Sequence, residues 1–387
     1  MKKYRIDEIT ENLDNLRKPL NSIQRSRISQ KKLYPYYGAN SLIDYVDEYI
    51  FDEEILCVAE DGGSWGYKEK CTYIVNEKCW VNNHAHVLRA KDNLNIAYLS
   101  YYLNYNDLNS HITGTTRGKL TKSALSNIEI LLPELEKQNI IVEILDKAQQ
   151  LIDKRKKQIE SLDELVKSQF IEMFGDPINN PMGWQVKKLK DISTKILSGN
   201  TPKGGSEVYV DSGIMFFRSQ NVWKNKLVLD DIAYIDEDTH NKMLKSSLKH
   251  RDILMTKTGR INTENSSLGR AAMYLGEDDK ANINGHVYLI RLKEEILNEF
   301  ILFILTSKEY RGYIRSVCVG GIDKRQLNKE HIEDFPIIFP PIEQQKEFVT
   351  YAKQVDKLKF EMEKSLKELE DNFNSLMQKA FKGELFN

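Results

Sequence analysis

The stretch that most restricts how this chain can fold runs from Glu136 to Phe174, EKQNIIVEILDKAQQLIDKRKKQIESLDELVKSQFIEMF, without proline or glycine. Leu145, Ile152, Ile159, Val166 and Met173 recur every seventh residue, and Ile141, Ala148, Arg155, Leu162 and Gln169 form a mostly apolar companion row. Two rows at 3–4 spacing make a seam on one helix face, as a coiled coil requires. At about 1.5 Å per residue such a helix spans roughly 58 Å, too long to fold back into one small core. The remaining sequence has to be organised around a rod.

That rod occurs twice. GTTRGKLTKSALSNIEILLPELEKQ, from Gly114, parallels GGIDKRQLNKEHIEDFPIIFPPIEQQ, from Gly320. An offset of 207 pairs Gly114 with Gly321, Leu120 with Leu327, Leu125 with Ile332, Ile128 with Phe335, Pro133 with Pro340, Glu136 with Glu343 and Gln138 with Gln345. The register runs on into a second heptad stretch, Gln344 to Phe381, carrying Phe348, Val355, Met362, Leu369 and Leu376. Ala352, Leu366, Phe373 and Ala380 are its companions, and Lys359 interrupts them as Arg155 interrupts the first row. Upstream, DEEILCVAEDG (from Asp52 or Glu53) parallels HRDILMTKTGR from His250, NHAHVLRA from Asn83 parallels NGHVYLIRL from Asn284, and YRIDEI parallels VKKLKDI from Val186. The changing offset implies loops of different length between shared strands.

Within each half, short β-branched and aromatic runs (Cys71–Val75, His286–Leu292) alternate with Gly, Asn and Asp turns, and helical segments (Leu94–Leu103, Asn298–Tyr310) follow. Gly175–Trp184, with its glycine and prolines, stops the first rod. The expected fold is α+β: mixed α/β domains at 1–134 and 178–341, helices at 135–177 and 342–387. The helices are expected to pair as an intramolecular antiparallel coiled coil with pseudo-two-fold symmetry.

A net charge of −1 means that any nucleic-acid binding must rest on local patches. Four cysteines without C-x-x-C spacing, a start (MKKYRIDEIT) unlike a signal peptide and the absence of a long apolar run together predict a reduced, soluble, cytoplasmic protein with no membrane partner.

Catalytic motifs fail on inspection. GTTRGK (Gly114–Lys119) has three residues between its glycines where a phosphate loop has four, and Leu120 replaces the magnesium-binding hydroxyl. His84 and His86 lack further ligands at metal spacing and read better as one inward and one outward residue. Asn180-Pro181 is followed by Met182-Gly183, not by the remainder of an amino-methyltransferase signature. The expectation is no catalytic residue, no metal and no cofactor in this chain.

Basic patches are the stronger signal. Arg17, Lys18, Arg25, Arg27, Lys31 and Lys32 fall between Leu16 and Leu33 without an acid, and the turn Tyr34–Asn40 follows. Lys242, Lys245, Lys249, Arg251, Lys257 and Arg260 face only Asp252. Such density can neutralise phosphates, or can equally be a solvated face. Arg218-Ser219-Gln220-Asn221 is richer, because Arg can fork onto guanine and Gln or Asn onto adenine; the same side chains can also cap backbone. The loops at Gly62–Gly66 and Gly259-Arg260 lie at matching places and can admit a ligand or simply turn the chain. The predicted DNA-binding set is Arg25, Arg27, Lys31, Lys32, Tyr37, Asn40, Arg117, Lys119, Arg218, Gln220, Asn221, Lys257, Arg260, Lys324 and Arg325.

With the YPYYGAN…DYVDEYIFDEEILCVAEDG run, LLPELEKQ and FPPIEQQ leading into the helices, MFGDPINNPMGW, and GIMFFRSQNV, the chain resembles the specificity subunits of type I restriction-modification systems over essentially its whole length. The resemblance implies two target-recognition domains, each reading one part of a split double-stranded DNA site, and helices that set the spacer. It also implies docking of two methyltransferase subunits and recruitment of restriction and translocase subunits. S-adenosylmethionine, ATP and magnesium would then sit on those partners. Leu135–Gln138 and Ile342–Gln345 match the family's helix-start motif. The alternatives are a coiled-coil tether without DNA reading, or a fused DNA methyltransferase or nuclease, which the failed motifs argue against.

Overall fold

The computed structural model describes residues 2–114, 116–263 and 265–386. It divides into two compact units, Met1–Gln158 with Met362–Asn387, and Ile159–Glu361.

The first unit is built on an antiparallel sheet in the order Thr10–Asn12, Ala85–Ala90, Ile55–Ala59, Thr72–Val75. Every residue of Ile55–Ala59 is buried, as expected of an inner strand covered on both faces. A smaller sheet joins Leu42–Val46, Tyr34–Tyr37 and Trp80–Val81, the last pair parallel. Helix Ile96–Tyr105, capped by the Asn95 side chain on the amides of Ala97 and Tyr98, packs its Tyr98, Leu99 and Leu103 into the core.

The second unit repeats this plan. Its larger sheet runs Ser193–Ser198, Val287–Leu292, Ile253–Thr256, Ala271–Met273, and its smaller one Ala233–Ile235, Ile214–Phe217, Ala281–Ile283, again with the last pair parallel. The repetition reaches single hydrogen bonds. Asn82 N donates to Tyr37 O (3.0 Å) and Asn284 N to Phe217 O (2.9 Å); Glu60 N donates to His84 O and Lys257 N to His286 O, both at 2.9 Å. These bonds align His84 with His286, one residue away from the pairing expected from Asn83 and Asn284. They also choose Glu53 over Asp52 as the partner of His250.

The segment expected to be one helix over Asn298–Tyr310 is two, Asn298–Thr306 and Lys308–Val317. Ser307 adopts an extended backbone (ψ 158°) between them, and its side chain accepts from Tyr310 N, an N-cap that starts a new helix.

The rods are continuous helices, Leu135–Phe174 and Ile342–Lys382. In the first unit Ile141 and Leu145 pack with Met377, Ala380 and Phe381, and Lys156 pairs with Glu370 at 2.9 Å, so the two chain directions oppose. In the second unit Lys359 Nζ meets Asp163 Oδ1 at 2.7 Å, and Phe170 and Phe174 pack edge-to-face with Phe348, so the helices again run antiparallel. Of the expected seam, Leu145, Ile152, Val166, Phe348 and Val355 are buried; Ile159, Met173, Met362, Leu369 and Leu376 are half-buried. The helix-start glutamines explain themselves. Gln138 is fully buried and donates through Nε2 to Asn93 O and Pro133 O while accepting from Asn95 N; Gln345 Nε2 donates to Pro340 O at 2.7 Å. At the far end of the first rod, Gly175 takes φ 75° and Trp184 Nε1 donates back to Phe174 O (3.0 Å), closing the helix.

Candidate nucleic-acid interface

Each unit carries a short hairpin against the end of its inner strand. In the first unit it is Ile112–Thr113 with Lys119–Leu120, and in the second Val319–Gly320 with Lys324–Gln326, the latter also paired to Thr258–Arg260. Both are fastened at the same two points. Leu120 N donates to Glu60 O (2.8 Å) and Leu327 N to Lys257 O (2.9 Å). The following carbonyls are then held by side chains from the neighbouring strand: His86 Nε2 lies 2.8 Å from Leu120 O, and Tyr288 OH donates to Leu327 O at 3.3 Å. The sequence pairing, one residue out of register here, hid this equivalence of His86 with Tyr288.

In the first unit the hairpin base sits in a charge network. Arg17 Nη1 meets Glu60 Oε2 at 2.7 Å, Lys119 Nζ meets Glu60 Oε1 at 3.1 Å, and Arg117 Nη2 meets Asp61 Oδ1 at 2.8 Å. His84 Nδ1 lies 2.9 Å from the same Asp61, and buried His86 Nδ1 lies 2.6 Å from Asp14 Oδ2. Burial alone would raise the Glu60 and Asp14 carboxyls, but the Arg17 and Lys119 bonds hold Glu60, and the His86 bond holds Asp14, below the usual carboxylate range. Arg17 is thus absorbed by the fold, while Arg117 and Lys119 remain exposed. Asn40 Nδ2 donates to Gly62 O (3.1 Å), which brings the Tyr34–Asn40 turn to the same edge.

The other predicted residues of this unit lie on helix Ser22–Arg27, the loop after it and strand Tyr34–Tyr37. Helix Ser22–Arg27 starts with an Asn21/Gln24 capping box; its Arg25 pairs with Asp44 (3.1 Å) and covers the Tyr36 ring. Arg27, Lys31 and Lys32 are exposed, and no ion pair holds their side chains among the described residues. Tyr37 OH donates to Glu77 (3.2 Å); burial and that carboxylate push its hydroxyl up to about 12, so it remains a donor at neutral pH.

In the second unit Arg218, Gln220 and Asn221 part company. Exposed Gln220 donates through Nε2 to Asp231 Oδ2 (2.7 Å); Arg218, largely covered, meets the same oxygen through Nη2 at 3.1 Å and also donates to Asp231 O. Asn221 is buried: its Oδ1 accepts from Arg218 N (2.9 Å) and its Nδ2 donates to Val228 O and Asp231 O, both at 3.1 Å. Every polar atom of Asn221 is committed to backbone, so it holds the loop that Arg218 and Gln220 project from and does not itself face a base. Lys257 lies over the Tyr288 ring, Arg260 pairs with Asp323 (3.2 Å), Lys324 is exposed, and Arg325 Nε donates to Gly321 O (3.3 Å). Strand pairing puts Arg260 opposite Lys324 and Gly259 opposite Arg325. Gly259 admits protein, not ligand: a Cβ there would lie 2.3 Å from Leu268 N. Sequence reasoning missed Arg270, stacked on exposed Trp223 with 3.9 Å between guanidinium and ring, because no local spacing connects them.

Among the described residues no group of three His, Cys, Asp or Glu is able to hold a metal, and no helix is long and apolar enough to cross a membrane.

Two copies of one frame, each with cations on loops beside an anchored hairpin, define a protein made by internal duplication. The family model for the type I restriction modification DNA specificity domain matches residues 1–163 and 181–371, and the chain belongs to that family. It is thereby a specificity subunit, the non-catalytic, target-choosing part of a type I restriction-modification system. It is 27% identical to a type I restriction enzyme specificity subunit of Haemophilus influenzae over 91% of this chain and 87% of that one. A specificity subunit of Methanocaldococcus jannaschii is 26% identical over 74% of this chain and 70% of its own length. The S subunit structure from M. genitalium superposes with a TM-score of 0.55 at 15% identity, covering 98% of this chain and 96% of that one. A chain from a structure concerning assembly and conformational transition of a type I system gives 0.59 at 17% identity, covering 99% and 98%.

Proposed function

We propose that each compact unit reads one part of a split double-stranded DNA site. The anchored hairpin and its neighbouring loops are the reading surface: Arg117, Lys119 and Asn40 in the first unit, Arg218, Gln220, Arg260, Lys324 and Arg325 in the second. The observation that carries this is the pair of hairpins fastened by matching bonds, Leu120 N to Glu60 O and Leu327 N to Lys257 O. A shared rigid base with dissimilar side chains is what two different half-sites require. Arg25, Arg27, Lys31, Lys32 and Lys257 add phosphate contacts that position without specifying.

The long helices set the unread spacer and dock two methyltransferase subunits, which carry S-adenosylmethionine. Restriction and translocase subunits, with ATP and magnesium, join that assembly, and the protein works in the cytoplasm. Supporting the docking role, Leu151, Leu165, Leu358 and Phe360 are exposed on the helices, between 48% and 65%. Methylation mapping with the assembled complex tests the reading. A bipartite sequence with a constant unread gap is expected; one contiguous block would refute it.

A further inference from the structure

We propose that Ile322, at the tip of the second unit's hairpin, reads the 5-methyl group of a thymine in the major groove. The proposal rests on the reading of that hairpin as a DNA surface and names one specificity contact within it. Ile322 is 90% exposed, against 68% for Leu275, the next of the exposed large apolar side chains. It is not exposed for want of order around it. Val319 pairs with Gln326 and Gly320 with Arg325, Arg325 Nε donates to Gly321 O (3.3 Å), and Ile261 N donates to Asp323 O (3.0 Å). The turn is therefore tied on both sides, and the fold itself holds an isoleucine out in water.

What surrounds Ile322 selects the occupant. Arg260, Lys324 and Arg325 lie on the paired strands beside the tip, with Asp323 engaged by Arg260. An apolar point between cations complements a groove with phosphates on both walls better than it complements an apolar protein surface. Behind the tip the sheet has three strands, but the tip itself is a single turn, and the groove open to such a protrusion is the major one, where the thymine methyl is the one apolar group on a base edge. Wedging between base pairs is the competing mode. Burying a single isoleucine returns about what unstacking one step costs, which leaves no surplus; contact with a methyl already in the groove requires no distortion. The matching tip of the first unit reads Gly-Thr-Thr-Arg in sequence, without an isoleucine, so the contact made by Ile322 belongs to the second unit's half-site.

The test uses the full complex with its methyltransferase subunits and DNA in which uracil replaces each thymine of the second unit's half-site in turn. Wild type is expected to bind roughly fivefold more weakly with uracil at one position. Ile322→Ala should show the same loss on thymine DNA and no further loss with uracil, its salt dependence unchanged. A half-site in which no thymine responds, or uracil and Ile322→Ala penalties that multiply, overturns the proposal. Lys324→Ala and Arg325→Ala tell the two failures apart. If they flatten the salt dependence while Ile322→Ala is silent, the hairpin meets DNA and only the methyl contact is wrong. If none of the three alters binding, the hairpin is not a DNA surface, and the reading beneath the proposal falls with it.

Discussion

At the scale of single residues, Arg218 and Asn221 look alike in sequence and do opposite work. Arg218 is largely covered, with 19% of its side chain exposed, but it shares the exposed Asp231 carboxylate with Gln220, and on the proposed reading it exchanges that counter-ion for a base or phosphate. Arg218→Ala is therefore expected to weaken recognition of one half-site by roughly tenfold with the other intact, read from binding to half-site variants; equal loss on both halves would contradict it. Asn221→Ala leaves Val228 O and Arg218 N without their partner and Asp231 O with Arg218 alone, and should destabilise the second unit by about 1–3 kcal/mol, measured by chemical unfolding. The Glu60 and Asp14 carboxyls supply a pH dependence. Both are held below their ordinary value in the folded state, so their contribution is full above the unfolded value near about 4 and is lost as pH falls below it. The unfolding midpoint of the first unit should be flat from neutral pH to about 5 and drop in stronger acid, with a smaller acid drop in Glu60→Gln. None of these pairings was legible beforehand: Arg17 meets Glu60 and His86 meets Asp14 across long sequence separations, and neither composition nor spacing reports which opposite charges will meet.

At the scale of elements, the rods were readable because their signal is local periodicity, and strands such as Thr72–Val75 and Val287–Leu292 because β-branched and aromatic residues cluster in them. What periodicity could not show is how the rods are fastened. Gln138 caps three backbone groups within the first unit, and its reason for standing there is a set of contacts from Asn93, Asn95 and Pro133. Gln138→Leu should lower stability by on the order of 3 kcal/mol, since several buried polar groups lose partners. Exposed Glu136→Ala should stay within about 0.5 kcal/mol. Thermal unfolding of both variants checks the contrast. The break at Ser307 belongs to the same scale: the sequence reads as one helix over Asn298–Tyr310, and the Ser307 hydroxyl, accepting from Tyr310 N, starts a second.

At the scale of the whole molecule, two paired charges mark how the helices match locally, Lys156 with Glu370 and Asp163 with Lys359. Removing Lys156–Leu162 together with Glu361–Lys367 takes one heptad, about 10 Å of helix, from both rods without disturbing the seam phase. On the proposed reading the unread spacer should contract by roughly three base pairs, with both half-sites still recognised. Methylation mapping of the variant reports the spacer, and an unchanged gap would remove the helices from that role.

One dimension is enough to show that the chain is duplicated, that each copy pairs a mixed α/β unit with a long heptad helix, and that any nucleic-acid contact must come from local patches. Those are properties of repetition and periodicity, which survive in one dimension. Only the tertiary structure decided which cations stay free, because neutralising partners arrive from distant strands. It alone brought His86 and Tyr288 to equivalent carbonyls, turned Asn221 inward, and set Ile322 out beyond its cations. Those outcomes depend on strand register, and one residue of register carries a side chain to the other face of a sheet.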